Sequence, residues 1–311
     1  MNKIIILFLL TSIQLYTFGQ VNPDSARQKS SDTTLQNRPD SSMQMSPDTT
    51  IETFTQGEFY GNQEVYKLKA ASDIPVIAIG AGWSLYAFTK IYSKDKSSEE
   101  KILSLDKNDI NSFDRPGADV YHPKANETGD LLFYGSMPLP IILMLDKEIR
   151  KDALKMAILY LESMSVTGLL YTGSVYLTNR YRPYAYNPEV PMDRRTRGGA
   201  KNSFFAGHVA LVGTSTFFIA KVLNDYHPDS KVKWLPFTLA GLATGTTAYL
   251  RYRGGEHFLS DIVLGTAVGV LTGILVPHVH KNKNIIDRRL SFTATYLGNT
   301  PQFGIVYKLM K

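Results

Sequence analysis

Polar and apolar residues fall into zones along this chain. From residue 66 onward apolar residues gather in six blocks of helical length, at 75–92, 131–146, 153–178, 205–223, 234–250 and 258–279. Blocks of that length predict six helices and an all-α bundle. Several approach the length of a bilayer span, and polar interruptions such as Lys155, Glu162 and Asp261 suit helices packed on one another around a polar site. The expected fold is a six-helix bundle embedded in a membrane, with a wholly soluble bundle as the alternative.

The flanks read differently. Residues 1–19 have the form of an export signal: Lys3 precedes the apolar run from Ile4 to Leu10, and Thr17 and Gly19 are small residues at a cleavage point. An uncleaved anchor helix is the alternative. Residues 20–70 form an expected disordered linker, because 21–54 is built of Ser, Thr, Asp, Pro, Gln and Asn and has too little apolar surface to offset its ordering entropy. The helical domain is expected over 71–285. In the tail, 286–311, apolar and polar residues alternate around Gly298, Asn299 and Pro301, which predicts a short β-hairpin.

With no cysteine in the chain, a disulfide framework, a thiolate metal site and a cysteine nucleophile are excluded. A net charge of +6 suits an anionic partner, and nothing resembles a nucleic-acid module. Lys147, Arg150, Lys151 and Lys155 sit at one short turn, Lys221, Lys231 and Lys233 at another, and Lys281, Lys283, Arg288 and Arg289 after the last helix. The positive-inside rule makes these ends cytoplasmic and puts 179–204 and 251–257 together on the periplasmic side. A cleaved signal conflicts with six spans that end inside. Either 75–92 does not cross, or the signal is retained, or the bundle is not in a membrane.

Three clusters at helix ends on that shared side carry candidate chemistry. The first is Arg180, Tyr181, Arg182, Pro183; the second runs from Ser203 to Gly207 and His208; the third is Arg251, His257 and Asp261. Arginines after an apolar helix are either a head-group-facing end or clamps for phosphate oxygens, which planar guanidinium donors engage two at a time. Gly207 and His208 open a helix, where free amides and the dipole favour an anion. His257 and Asp261 are four apart, so on one helix they share a face and the carboxylate can hold one imidazole nitrogen. An ordinary surface pair is the alternative.

In order and spacing, these clusters resemble the type 2 phosphatidic acid phosphatase family, whose relatives include bacterial acid phosphatases and vanadium haloperoxidases. Its motifs are written KxxxxxxRP, PSGH and SRxxxxxHxxxD. The third stands here from Leu250 and Arg251 through His257 to Asp261, followed by an apolar run containing Gly265. The departures are Val175 for the first motif's Lys, Phe205 and Ala206 for the Pro and Ser of the second, and Leu250 for the Ser of the third. Arg180 and Lys201 are the cations available to replace the lost donors.

The resemblance implies a phosphatase acting on a phosphate monoester or diphosphate, with His257 as nucleophile, Asp261 fixing its tautomer and His208 as general acid and base. Arg182, Arg251 and the Gly207 amide would bind the phosphate oxygens, with no metal and no cofactor required. The implied partners are a membrane and a lipid or small-molecule phosphoester: phosphatidyl phosphate, isoprenyl diphosphate or a lipid A phosphate. Arg194, Arg195, Arg197 and Lys201 are expected to meet a head group, and Tyr181, Tyr184 and Tyr186 to line the interface. The alternatives are a soluble periplasmic acid phosphatase and an inactive member that only binds lipid phosphate.

Overall fold

The computed structural model describes residues 64–282, 290–297 and 300–307. The export signal, the linker up to residue 63, Lys283, Arg288, Arg289 and the hairpin turn lie outside them. Six principal helices follow in order: α1 (Ala70–Tyr92), α2 (Pro123–Ser136), α3 (Ala153–Leu177), α4 (Gly207–Tyr226), α5 (Trp234–Arg253) and α6 (Leu259–His280). Strands β1 (Leu290–Leu297) and β2 (Thr300–Tyr307) pair antiparallel, Leu297 opposite Thr300, as the alternating tail predicts.

Five of the six helices lie close to the apolar blocks, and α2 departs from its block. It starts eight residues early, with Pro123 in its first turn, where a missing N–H costs nothing. It stops at Ser136, and the chain continues as the 3-10 turn Leu139–Leu145 beside Pro138 and Pro140, which cannot donate to an α-helical ladder.

Small residues set the packing. A β-carbon on Gly80 of α1 would lie 2.7 Å from the Ser165 carbonyl oxygen of α3, and one on Gly168 of α3 would lie 2.7 Å from Ser84 Oγ. Gly265, Gly269 and Gly273, one turn apart on α6, rest against the Ala206, Ala210 and Thr214 carbonyl oxygens. Each of these helix pairs runs parallel, and each approaches as closely as backbones do at small-residue seams in membranes. Between α3 and α4 the hydroxyls of Thr167 and Thr214 bond at 2.7 Å, as do those of Tyr160 and Ser215. α4 is the centre of the bundle, buried along nearly its whole length.

The outer faces are apolar: Ile79, Leu131, Leu154 and Val279 are 64, 71, 74 and 67% exposed. α1, α3, α6 and the stretch Pro123–Leu145 are each long and apolar enough to cross a membrane. Apolar residues so disposed face lipid, and the bundle is membrane-embedded rather than soluble.

The chain enters at the end opposite the motif clusters, and there the linker boundary needs correction. Val65 and Tyr66 are buried, Tyr66 donates its hydroxyl to Asp225 Oδ2 at 2.8 Å, and the 66–67 backbone pairs with 280–281. Order therefore begins at least six residues before the expected domain start, because Tyr66 has a buried acceptor. Lys147, Arg150, Lys151, Lys155, Lys231, Lys233 and Lys281 share this end. Lys221 does not count as a loop charge, being buried within α4 and paired with Asp225.

Candidate active site

At the other end, the segment 178–206, the starts of α2, α4 and α6, and the turn after α5 converge. Gly255 makes that turn possible: its φ of +69° is a left-handed conformation, and a side chain there would strike the Val120 carbonyl oxygen. Tyr184 N donates to the Gly255 carbonyl at 3.0 Å, tying the turn to the Arg182–Pro183 segment.

His257 lies just before α6 and is 1% exposed. Its Nδ1 lies 2.7 Å from the Ser203 carbonyl oxygen. A carbonyl only accepts, so Nδ1 carries the proton and Nε2 carries the lone pair. Nε2 is buried and has no hydrogen-bond partner. Burial, then the neighbouring Arg182 and His208, hold this ring well below the ordinary histidine value of 6.5, so it is neutral. A neutral imidazole with one fixed, unengaged lone pair is chemically able to act as a nucleophile.

Around it stand Arg182, Arg251 and His208. Arg251 is 2% exposed; its Nη2 donates to Asp130 Oδ1 at 2.5 Å and its Nη1 to Asn126 Oδ1. Arg182 Nη1 donates to Glu256 Oε2. Each of the two guanidiniums leaves its Nε buried and without a partner. His208 Nε2 faces Asp130 Oδ1 at 3.5 Å, and its ring lies 4.3 Å from that of Phe133. Ala206, at the head of α4, supplies no side-chain cap, so the first amides of the helix, Gly207 among them, remain donors for an anion. Tyr171 packs against Gly207 where a β-carbon would be.

Four expectations need correction. Asp261 does not hold the His257 ring. His257 precedes the helix, so the four-residue spacing does not place the two on one face. Asp261 instead caps α6, accepting from Phe258 N at 3.0 Å, Ser203 Oγ at 2.6 Å and Arg180 Nη1 at 2.5 Å. Its reach to His257 is indirect, through Ser203.

Arg180 differs from Arg182 and Arg251 in leaving no buried nitrogen without a partner: besides Asp261 it donates to Asp114 Oδ2 at 2.6 Å and to Ser260 Oγ at 2.9 Å. Lys201 turns outward and donates to the Asp95 carbonyl at 2.8 Å. Neither replaces the lysine missing at Val175, which is buried in an apolar cluster with Ile91, Tyr171 and Phe205. The expected head-group cations are likewise engaged: Arg194 with Glu256 at 2.9 Å and the rings of Tyr121 and Tyr184, Arg195 with the Ala185 carbonyl, and Arg197 with Asp193. Tyr184 is buried and Tyr181 and Tyr186 pack on the same cluster, so these rings shape the loop rather than the interface.

Sequence reasoning missed Asn126, Asp130, Asp114 and the Ser203 carbonyl. A signal existed for Asp130, the last acid before the apolar block at 131, but only the fold brings it to Arg251 and His208.

Residues 156–285 match the PAP2 superfamily. No curated protein matches the chain. Among solved structures it is similar to the "first transmembrane PAP2 type phosphatidylglycerolphosphate phosphatase from Bacillus subtilis", at 17% identity and a TM-score of 0.39, covering 67% of this chain and 94% of that one. Arg182, His208, Arg251 and His257 all lie inside the stretch that matches the PAP2 superfamily, so residues 156–285 are similar to that family across these four site positions.

Proposed function

We propose that the protein hydrolyses a lipid phosphate monoester or diphosphate through a phosphohistidine on His257, at the periplasmic face. One observation carries this reading: three buried, unpartnered nitrogens, His257 Nε2, Arg182 Nε and Arg251 Nε, stand at the same end of the bundle beside the free amides of α4. Two donors and one lone pair left unsatisfied match an anion whose oxygens meet the donors and whose phosphorus meets the lone pair.

In the first step His257 Nε2 attacks phosphorus while the bond to the leaving oxygen breaks, and His208 gives that oxygen its proton. The charge of a bound phosphate favours the imidazolium form of His208. In the second step His208 takes a proton from water, which attacks phosphorus and breaks the P–N bond, and inorganic phosphate leaves. Arg182, Arg251 and the Gly207 amide stabilise charge on the nonbridging oxygens in both steps. Side chains and amides supply every group this scheme uses. The membrane setting favours a substrate whose tails remain in the bilayer, such as phosphatidyl phosphate, an isoprenyl diphosphate or a lipid A phosphate.

The test is phosphate release from these lipids in detergent with EDTA present, together with trapping of labelled enzyme. Wild type should release phosphate and yield an acid-labile, alkali-stable phosphoprotein. His257→Ala should do neither. Turnover by His257→Ala at the wild-type rate would refute the assignment, and equal rates on water-soluble esters would refute the lipid preference.

A further inference from the structure

A second cluster of ionisable groups lies at the far end of the bundle. Asp73 in the first turn of α1, Glu162 in α3 and His280 at the end of α6 are all buried, at 3, 6 and 8% exposure. His280 lies nineteen residues beyond Asp261 on one helix, about 28 Å away at 1.5 Å per residue. The reaction proposed above makes no use of it. Ionisable groups inside a membrane bundle are costly and persist where something compensates them.

The geometry of the cluster is specific. His280 Nδ1 lies 2.8 Å from the Val276 carbonyl oxygen, so Nδ1 carries a proton and Nε2 faces inward. Nε2 lies 3.2 Å from Asp73 Oδ1 and 3.4 Å from Glu162 Oε2, and the three atoms lie within 4.8 Å of one another. Glu162 Oε2 is buried and has no hydrogen-bond partner. Two carboxylate oxygens and one imidazole nitrogen therefore converge on one point, a set that calls for a proton or a cation among its members.

A proton on Nε2 would be one remedy, but hydrogen bonds from imidazolium to carboxylate draw in to about 2.7–2.9 Å, shorter than either separation. A divalent cation is the other. Ligand bonds of about 2.0–2.1 Å around tetrahedral zinc put neighbouring ligand atoms roughly 3.3 Å apart, which the two distances bracket. The supporting shell also fits. The Val276 carbonyl orients the imidazole, while Ser72 Oγ and Lys69 N donate to Asp73 at 2.7 and 2.6 Å.

We infer that Asp73, Glu162 and His280 form a structural site for a borderline divalent cation of the zinc type, which staples α1, α3 and α6 together at the end opposite the phosphatase centre. Two carboxylates balance its charge, and one imidazole with two oxygens suits its ligand preference.

The test uses the full chain in detergent, stripped with EDTA, desalted and titrated with Zn2+ or Co2+. Wild type should retain about one Zn2+ per chain, unfold several degrees higher than the stripped protein, and give the intense visible absorption of four-coordinate Co2+. Glu162→Gln and His280→Gln should lose retention, stabilisation and spectrum together. Where a variant fails to fold, the wild-type spectrum and melting shift alone decide. Stripped wild type that binds no Zn2+ and melts unchanged in its presence would overturn the site, as would variants that retain Zn2+ like wild type.

Discussion

Asp261→Asn separates the two roles open to this carboxylate. It is fully buried and accepts three hydrogen bonds, from Ser203 Oγ, Phe258 N and Arg180 Nη1. Asparagine keeps one acceptor oxygen and turns an NH2 group toward donors. Hydrogen bonds to a charged acceptor contribute about 1.5–3 kcal/mol each. Arg180 keeps Asp114 as a partner, so the loss falls near the cost of breaking a buried ion pair, about 3–5 kcal/mol. At about 2–4 °C per kcal/mol for a domain of this size, Tm should fall by roughly 10 °C. Catalysis should weaken through Ser203, whose carbonyl orients His257. The pH dependence of the remaining activity should not move, because Asp261 makes no bond to the ring. Thermal unfolding in detergent and a pH–rate profile of the variant measure both. Unchanged Tm with a shifted profile would refute the indirect role and restore a direct pairing.

Two further outcomes follow from the same structure. Gly269→Ala places a methyl against the backbone of Ala210, whereas Gly245→Ala on α5 meets nothing within 4 Å. Both gain about 1 kcal/mol of helix propensity, but only the first adds about 1–3 kcal/mol of overpacking, so Gly269→Ala should melt several degrees below Gly245→Ala; the reverse order would contradict the close seam. The depressed His257 value means that the unfolded chain binds a proton the folded chain refuses below about pH 6.5. Stability should therefore fall as pH drops from that point, and His257→Gln should flatten part of the slope in denaturant titrations run across pH 4–8.

Much of the bundle was legible because lipid-facing and core-facing positions are both apolar, which makes each helix a continuous block. The exception is instructive. The first two turns of α2 carry Asn126, Glu127 and Asp130, so they read as loop, yet Asn126 and Asp130 are polar because they face Arg251 across the site. The spacing of His257 and Asp261 misled for a related reason. A four-residue interval implies a shared face only inside a helix, and the turn at Gly254–Gly255 leaves His257 outside one. Charge alone marked Lys201 and Arg180 as candidates, but the sequence holds no record of Asp114 or the Asp95 carbonyl beside them.

Four arginines, Arg180, Arg182, Arg194 and Arg251, gather at the motif end, and each has a carboxylate, so pairing alone does not separate ligand-binding groups from structural ones. The unpartnered atoms do. Arg180 spends its guanidinium on Asp114, Ser260 and Asp261, and Arg194 divides its own between Glu256 and two tyrosine rings. Arg182 and Arg251 each keep a buried Nε without an acceptor, beside His257, whose buried Nε2 has no hydrogen-bond partner. Burying such groups is costly, so a bound anion that partners them would be stabilised there. The proposed phosphate would supply both features at once, acceptor oxygens for the guanidiniums and an electrophilic centre for the imidazole. In the reaction proposed above, the negative charge of the bound phosphate would fall beside His208 and favour the protonated form that the leaving oxygen requires.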